Sequence, residues 1–507
     1  MYSKIFSASL FGINAFIVEI EIHFERALPF FGIVGLPSTT VKEARERVKA
    51  AIINSGFSFP IKKITVNLAP ADIKKEGAFF DLPIALGILS AAGMVSVEKF
   101  DDTLFIGELS FDGNLRAVKG ILSIIIKAKK LGYKKIIIPE ENSEEASVIP
   151  EIKIYPMKDL RSVVSYLLST NGHFKPIDIT TPDFNNGVYN LDFSEVRGQA
   201  FSKRGVMIAA AGNHNILMVG PPGSGKTMIA KRIPTILPEL SLDEAIEITR
   251  IYSVSGLLYK NRLIKKRPFR SPHHTASDAA VIGGGINPKP GEVSLAHRGV
   301  LFLDEFPEFK KNVLNTLRQP LEDRLVTISR AERTVAFPAN FMLVASMNPC
   351  PCGYFNHPEI TCKCTQDKIR NYVHRISGPI LDRIDIQIEV PKVSFNDMAE
   401  APKTMDSLEI KNNVMIAREI QTKRFSGTKI KSNSEMPRRM IERFCTLTDS
   451  SKNILKMSMD KLGMSARAYD KVLRVARTIA DLQKREKIFD EDIMEALQYR
   501  SVDRVFK

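Results

Sequence analysis

Apolar and polar positions alternate from the start of the chain. The run from Ile5 to Val18 is broken by Ser7, Ser9, Gly12 and Asn14, and it passes into Glu19, Ile20, Glu21, Ile22, His23 and Phe24. A period of two residues predicts a strand with one wet face, not a secretion signal or a membrane-spanning helix. Ile64 to Leu68 reads as another strand, Val118 to Leu131 as a helix that stops at Gly132, and Lys134 to Pro139 (KKIIIP) as a short buried strand. Residues 1–170 therefore predict a compact α/β unit. From 171 to 190 the text turns to Gly, Pro, Thr, Asp and Asn with little periodicity, which predicts a linker. A second α/β unit is expected over 191–393, closing on the strand-like IDIQIEVP. Residues 394–507 contain no convincing strand and read as helices with basic faces, such as Ala468 to Arg485.

Composition narrows this picture. The 507 residues suffice for roughly three domains of about 150 residues, and 44% hydrophobic with 25% charged residues is ordinary globular usage. Lys plus Arg number 72 against 57 Asp plus Glu, a net charge of +15 that favours a polyanionic partner. Five cysteines are too few for a disulfide scaffold, and four of them fall between Cys350 and Cys364, which points to a metal or another local device. With no stretch of about 18 uninterrupted apolar residues, the expectation is a soluble cytoplasmic protein in a reducing compartment.

The chemistry concentrates in the second unit. Asn215 to Val219 (NILMV) is a buried-strand run that enters Gly220, Pro221, Pro222, Gly223, Ser224, Gly225, Lys226 and Thr227, followed by the helix-forming MIAKRI. Strand, glycine loop and helix in that order fit the phosphate-binding pattern G-x-x-x-x-G-K-[ST]. Its glycines let backbone N–H groups curl around phosphate oxygens at a helix N-terminus, Lys226 brings a point charge, and Thr227 offers a hydroxyl to Mg²⁺. Val300 to Leu303 (VLFL) reads as a strand ending in Asp304 and Glu305, expected to be the Mg²⁺ carboxylate and the general base. A third apolar strand, Phe341 to Ala345, leads to Ser346, Met347 and Asn348, where Asn348 is placed to orient the lytic water and sense the γ-phosphate. Arg383, in GPILDRID, is expected to act in trans as an arginine finger, and Arg467, opening a helix of the C-terminal lid, in cis.

The ordered series Lys226, Asp304, Asn348, Arg383 and Arg467 resembles the AAA+ ATPases. GPPGSGKT, FLDEFPEF, NPCPCG and GPILDRID are similar to the magnesium-chelatase-like YifB/ComM family, and the likeness spans essentially the whole chain. It implies an AAA+ P-loop ATPase core of α/β class with a helical lid, ATP and Mg²⁺ as cofactors, and a ring of six copies. Val196, Arg197, Gly198 and Gln199 resemble the segment that such proteins place beside the adenine. In the first unit, Glu76, Gly77, Asp81 and Pro83, then GNLR from Gly113 to Arg116 and KKIIIPEEN, resemble the proteolytic domain of Lon proteases, a fold like ribosomal protein S5 domain 2. That family supplies a nucleophilic serine and an activating lysine from these segments. The matching positions here are Phe79 and Val118, which cannot attack a carbonyl or move a proton. A Lon-like domain without peptidase activity is expected, with Ser90 and Lys119 the nearest substitutes for a displaced dyad.

Three further features bear on what the motor acts upon. Ile282 to Gly299 is too rich in Gly and Pro for a helix and reads as a loop or hairpin, which related ATPases place over the ring pore. Asn261 to Arg270 carries five basic residues and no acid, and Leu325 to Phe337 reads as a hairpin whose tip holds Arg330, Glu332 and Arg333. Basic side chains on moving loops would grip phosphates without reading sequence. Cys350, Cys352, Cys362 and Cys364 form C-x-C-x9-C-x-C, a four-thiolate set suited to tetrahedral Zn²⁺, with His357 in the intervening loop. The leading expectation is a hexameric ATP-driven DNA helicase or branch-migration factor in recombination or natural transformation, the role associated with ComM-type members. A chelatase-like ATPase that remodels a protein partner is the alternative, and an ATP-dependent protease the third reading.

Overall fold

The computed structural model describes residues 1–96, 101–169, 174–180, 189–258, 263–285, 288–330, 333–357, 359–393, 405–462 and 464–500. Most of the expected linker, Asn261 and Arg262, Glu332 at the hairpin tip, and the side chains of Arg330 and Arg333 lie outside that set. The chain divides into two compact units, Met1–Asp183 with Ser241–Ile264, and Phe184–Leu240 with Lys265–Lys507.

The first unit is built on a four-stranded sheet. The alternation Glu19 to Phe24 becomes the strand Asn14–Glu25, which buries Ile20, Ile22 and Phe24 and turns His23 outward. It lies between Tyr2–Phe11 and Lys63–Ala69, antiparallel to both, and Phe30–Val34 adds a parallel edge. A three-stranded parallel sheet of Thr103–Phe105, Lys135–Pro139 and Lys153–Met157 completes the framework. The helix Ile121–Lys130 begins three residues later than its periodicity predicts, because Gly120 takes a left-handed φ of 74° at its N-cap. The helix Leu242–Ser255 joins this unit despite its place in sequence. There Arg250 donates to the Ile13 carbonyl at 2.9 Å and to Ser123 Oγ at 3.1 Å, and the Gly120 N–H donates to Ser253 Oγ at 2.7 Å. The Ser241–Ile264 excursion thus departs from the expected simple boundary near residue 190.

The second unit holds a five-stranded parallel sheet of β1 (Ile216–Val219), β2 (Phe269–Arg270), β3 (Val300–Leu303), β4 (Met342–Met347) and β5 (Ile386–Glu389), in the spatial order β2-β3-β4-β1-β5. Residues of β1, β3 and β4 are all buried, as expected where helices cover both faces of a parallel sheet. Register aligns the strand ends that matter: Val219 pairs with Met347 and Leu303 with Ala345, so the loops after β1, β3 and β4 open side by side. The Gly-rich stretch after Ile282 does form a hairpin, Gly283–Gly284 against Lys289–Pro290, but continues into a short helix, Glu292–Leu295. Leu325–Arg330 and Arg333–Pro338 pair antiparallel as the second hairpin. The carboxyl-terminal part is helical among the described residues, with Ser407–Arg424, Ala466–Leu482 and Asp449–Leu462 its longest members. Val472, Leu473, Val475, Ala476, Ile479 and Ala480 give Ala466–Leu482 its apolar stripe.

A buried polar cluster pins that helix beneath the sheet. His214 Nε2 lies 2.8 Å from Thr478 Oγ1 and its Nδ1 3.3 Å from Asp385 Oδ2. Lys471 Nζ donates to the Ile384 carbonyl at 2.9 Å and stands 3.5 Å from Asp385 Oδ1. His214 precedes β1 and Asp385 precedes β5, so the helix is tied to the N-terminal ends of the strands. The Lys471 ammonium and the hydrogen bond with His214 keep the Asp385 carboxyl well below the ordinary carboxylate range despite complete burial.

Candidate functional site

The loop after β1 has the backbone that phosphate binding requires. Gly223 and Gly225 adopt left-handed φ of 76° and 87°, and the helix Lys226–Ile236 starts directly behind them. Lys226 Nζ donates to the carbonyls of Gly220 at 2.7 Å and Pro221 at 2.9 Å, and lies 3.3 Å from Asn348 Oδ1. Burial pushes its pKa from 10.5 down to about 8, with the Asp304 carboxylate opposing the shift. Gln199, at the N-cap of the helix Ala200–Gly212, donates from Nε2 to the Ser224 carbonyl at 2.7 Å and the Pro391 carbonyl at 3.0 Å. It therefore ties the segment Val196–Gln199 to the phosphate loop on one side and to the end of β5 on the other.

The acids sit at the tip of β3. Asp304 Oδ2 accepts from Thr227 Oγ1 at 2.8 Å, while its Oδ1 accepts from the Glu305 N–H at 3.1 Å and from Ser346 Oγ. Thr227 and Asp304 thus present adjacent oxygens of the kind that hold Mg²⁺. Glu305 takes a left-handed φ of 52°, which turns its side chain off the strand axis, and its Oε2 lies 3.0 Å from His274 Nδ1. Sequence reasoning passes over His274; its position four residues beyond β2, next to the strand carrying Asp304 and Glu305, is the signal that identifies it.

Arg383 and Arg467 are elsewhere. Arg383 pairs with Glu322 and donates to the Pro379 carbonyl, and Arg467 stands 3.9 Å from Asp382. Both line one cavity of about 420 Å³ together with Asn215, Glu322, Asp385 and Arg474, and no residue of Gly220–Thr227 lines it. Asn215 and Asp385 immediately precede β1 and β5, so this cavity opens at the N-terminal ends of the strands, whereas Lys226, Asp304 and Asn348 follow the C-terminal ends. Arg467, expected beside its own subunit's nucleotide, is held on the Arg383 side by the Asp385 cluster.

The four cysteines come together. Cys350 Sγ lies 3.3 Å from Cys352 Sγ and 3.7 Å from Cys362 Sγ, Cys352 and Cys362 are 3.5 Å apart, and all four sulfurs fall within 4.8 Å of one another. A tetrahedral ion with metal–sulfur bonds of about 2.3 Å requires sulfur separations near ~3.8 Å, so the set fits Zn²⁺. The backbone N–H of Tyr354 leads the groups that draw the Cys352 pKa from 9.0 down to about 6 and so favour its thiolate. In the first unit, Phe79 and Val118 are buried apolar side chains, Ser90 is half-buried on the helix Asp81–Ala91, and Lys119 is exposed.

A phosphate loop, a strand-tip Asp-Glu pair and a polar third strand tip on this sheet order, with an all-helical lid, define an AAA+ P-loop ATPase fold. The models described as magnesium chelatase subunit ChlI match residues 192–398 and, for its C-terminal part, 404–500; a further model, subunit ChlI of Mg-chelatase, matches 20–142. The chain is 43% identical to the competence protein ComM of Haemophilus influenzae and 42% identical to the uncharacterized protein YifB of Escherichia coli, covering 99% of this chain and 98% of each relative. It belongs to the ComM/YifB family of magnesium-chelatase-like AAA+ proteins. Over 148 residues, 27% of this chain and 18% of the relative, it is also 27% identical to the Lon protease of Trichlorobacter lovleyi, in keeping with a Lon-like first unit. No described helix is long and apolar enough to cross a membrane.

Proposed function

We propose that this protein is an ATP-hydrolysing motor that works as a ring of copies, most simply six, and moves on DNA as a helicase or branch-migration factor. The carrying observation is the separation of Arg383 and Arg467 from the phosphate loop of their own chain, at opposite ends of the same strands. A four-residue strand is roughly 13 Å long at about 3.3 Å per residue, so an arginine below it serves the nucleotide of a neighbouring copy. Thr227 and Asp304 would hold Mg²⁺, which neutralises phosphate charge when bound. Lys226 positions the β and γ phosphates, Glu305 takes a proton from the attacking water, Asn348 orients that water, and the partner's arginines offset charge building on the leaving group. Glu305 must exchange His274 for water before it can act as a base.

DNA as substrate is supported by the description of the ComM relative as a competence protein and by the +15 charge. Contacts to the phosphate backbone would make binding independent of sequence and steeply salt-dependent. Zn²⁺ at Cys350, Cys352, Cys362 and Cys364 belongs to the same reading. The test is the ATPase rate with no DNA and with single-stranded, duplex and forked DNA, alongside displacement of a labelled strand. Stimulation by DNA with strand displacement supports the motor; an indifferent ATPase that instead responds to a protein partner favours the remodelling alternative.

A further inference from the structure

The cysteine cluster and the phosphate loop meet at one turn. Cys350 is fully buried and stands two residues beyond Asn348 on the same stem that leaves β4. The Gly353 N–H donates to the Cys350 carbonyl at 2.9 Å and closes a turn that contains Cys352. Gly353 has φ of 87°, and a Cβ built on it would stand 2.5 Å from Cδ and 2.8 Å from Cγ of Pro222. The turn backbone is therefore in direct contact with the second proline of the phosphate loop. Two residues upstream of the cluster, Asn348 Oδ1 faces Lys226 Nζ at 3.3 Å.

Among the described residues from Gly353 to Thr365 there is no helix or strand. Backbone hydrogen bonds of regular structure do not fix that segment, and each residue of an unfixed loop retains conformational freedom that opposes a single position. Four converging cysteine side chains that share one metal ion would hold it in a single position. We propose that Zn²⁺ bound by these four cysteines braces the phosphate loop through Gly353 and Pro222, and sets the position of Asn348, so that metal occupancy governs nucleotide affinity. This inference rests on the zinc reading given above.

The experiment uses the full-length protein, purified under reducing conditions without added metal. Zinc per chain is measured by elemental mass spectrometry, and affinity for a fluorescent ATP analogue is read on the same samples before chelation, after chelation and after zinc is restored. The expected results are one zinc per chain, affinity weakened about tenfold or more by chelation, and recovery with zinc. Gly353→Ala keeps all four thiols and pushes against Pro222; it should retain its zinc and still bind the analogue more weakly. Far-UV circular dichroism accompanies each sample, and if the stripped chain unfolds, the metal-loaded Gly353→Ala protein decides the matter. A chain that never holds zinc, with Cys352→Ser no different from it, overturns the metal reading and this inference with it. Zinc bound, but Gly353→Ala binding the analogue with unchanged affinity, leaves the metal reading standing and overturns the brace.

Discussion

The two ends of one parallel sheet differ in what they carry. At the C-terminal ends of β1, β3 and β4 stand the glycine loop, Lys226, Thr227, Asp304, Glu305 and Asn348, bonded to one another through Lys226–Asn348 and Thr227–Asp304. At the N-terminal ends stand Arg383 and Arg467 around a cavity that Asp385 and Lys471 also line, with His214 buried against Asp385. Under the proposed motor, neither end completes the chemistry alone. On the proposed reading, half-sites that stand apart within one chain would meet at a heterologous interface, in which one edge of a copy faces the opposite edge of the next.

The comparison can be broken from either end. The largest effect is expected from Arg383→Ala: turnover falls about 10³-fold or more while affinity for a nucleotide analogue is kept, and loss of binding itself would place Arg383 at its own phosphate loop. Glu305→Gln should lower turnover by about 10² to 10⁴ and retain bound ATP, measured by single-turnover hydrolysis beside analogue binding. Removing the anion beneath the lid strands the buried Lys471 ammonium, so Asp385→Ala should cost about 3–5 kcal/mol of stability in denaturant unfolding. A shift within a few tenths would show that Lys471 and His214 do not depend on it. The smallest expected effect concerns pH. Because the free Lys226 cation is held to a pKa of about 8, nucleotide affinity should be steady below pH 8 and fall by up to about tenfold for each unit above it, since the nucleotide binds the protonated form. A flat profile to pH 10 would contradict the buried environment of Lys226.

Legibility in the sequence follows how local each feature is. Phosphate binding needs contiguous residues between a strand and a helix, so Gly220 to Thr227 could be read directly, as could Asp304 and Glu305 behind four apolar residues. The cysteines were legible as a set because their spacing is short. His274 was not, because its approach to Glu305 depends on Phe269 pairing with Val300 across the sheet rather than on sequence distance. The side of the sheet taken by Arg467 was hidden for a similar reason: Lys471 and Thr478 anchor its helix through partners far upstream, Asp385 and His214. Nor does the amphipathic pattern of Leu242–Ser255 say which core it joins, since an apolar stripe names no partner.

The claim that the two ends of the sheet meet across copies is tested most directly by mixing two crippled proteins. Lys226→Ala retains both arginines, and Arg383→Ala retains an intact phosphate loop; each alone should be nearly inactive. Reassembled together in equal amounts, they should recover ATP hydrolysis of up to about a quarter of the unaltered rate, because about one interface in four pairs an intact loop with an intact arginine. No recovery, from proteins that demonstrably co-assemble, would contradict the account.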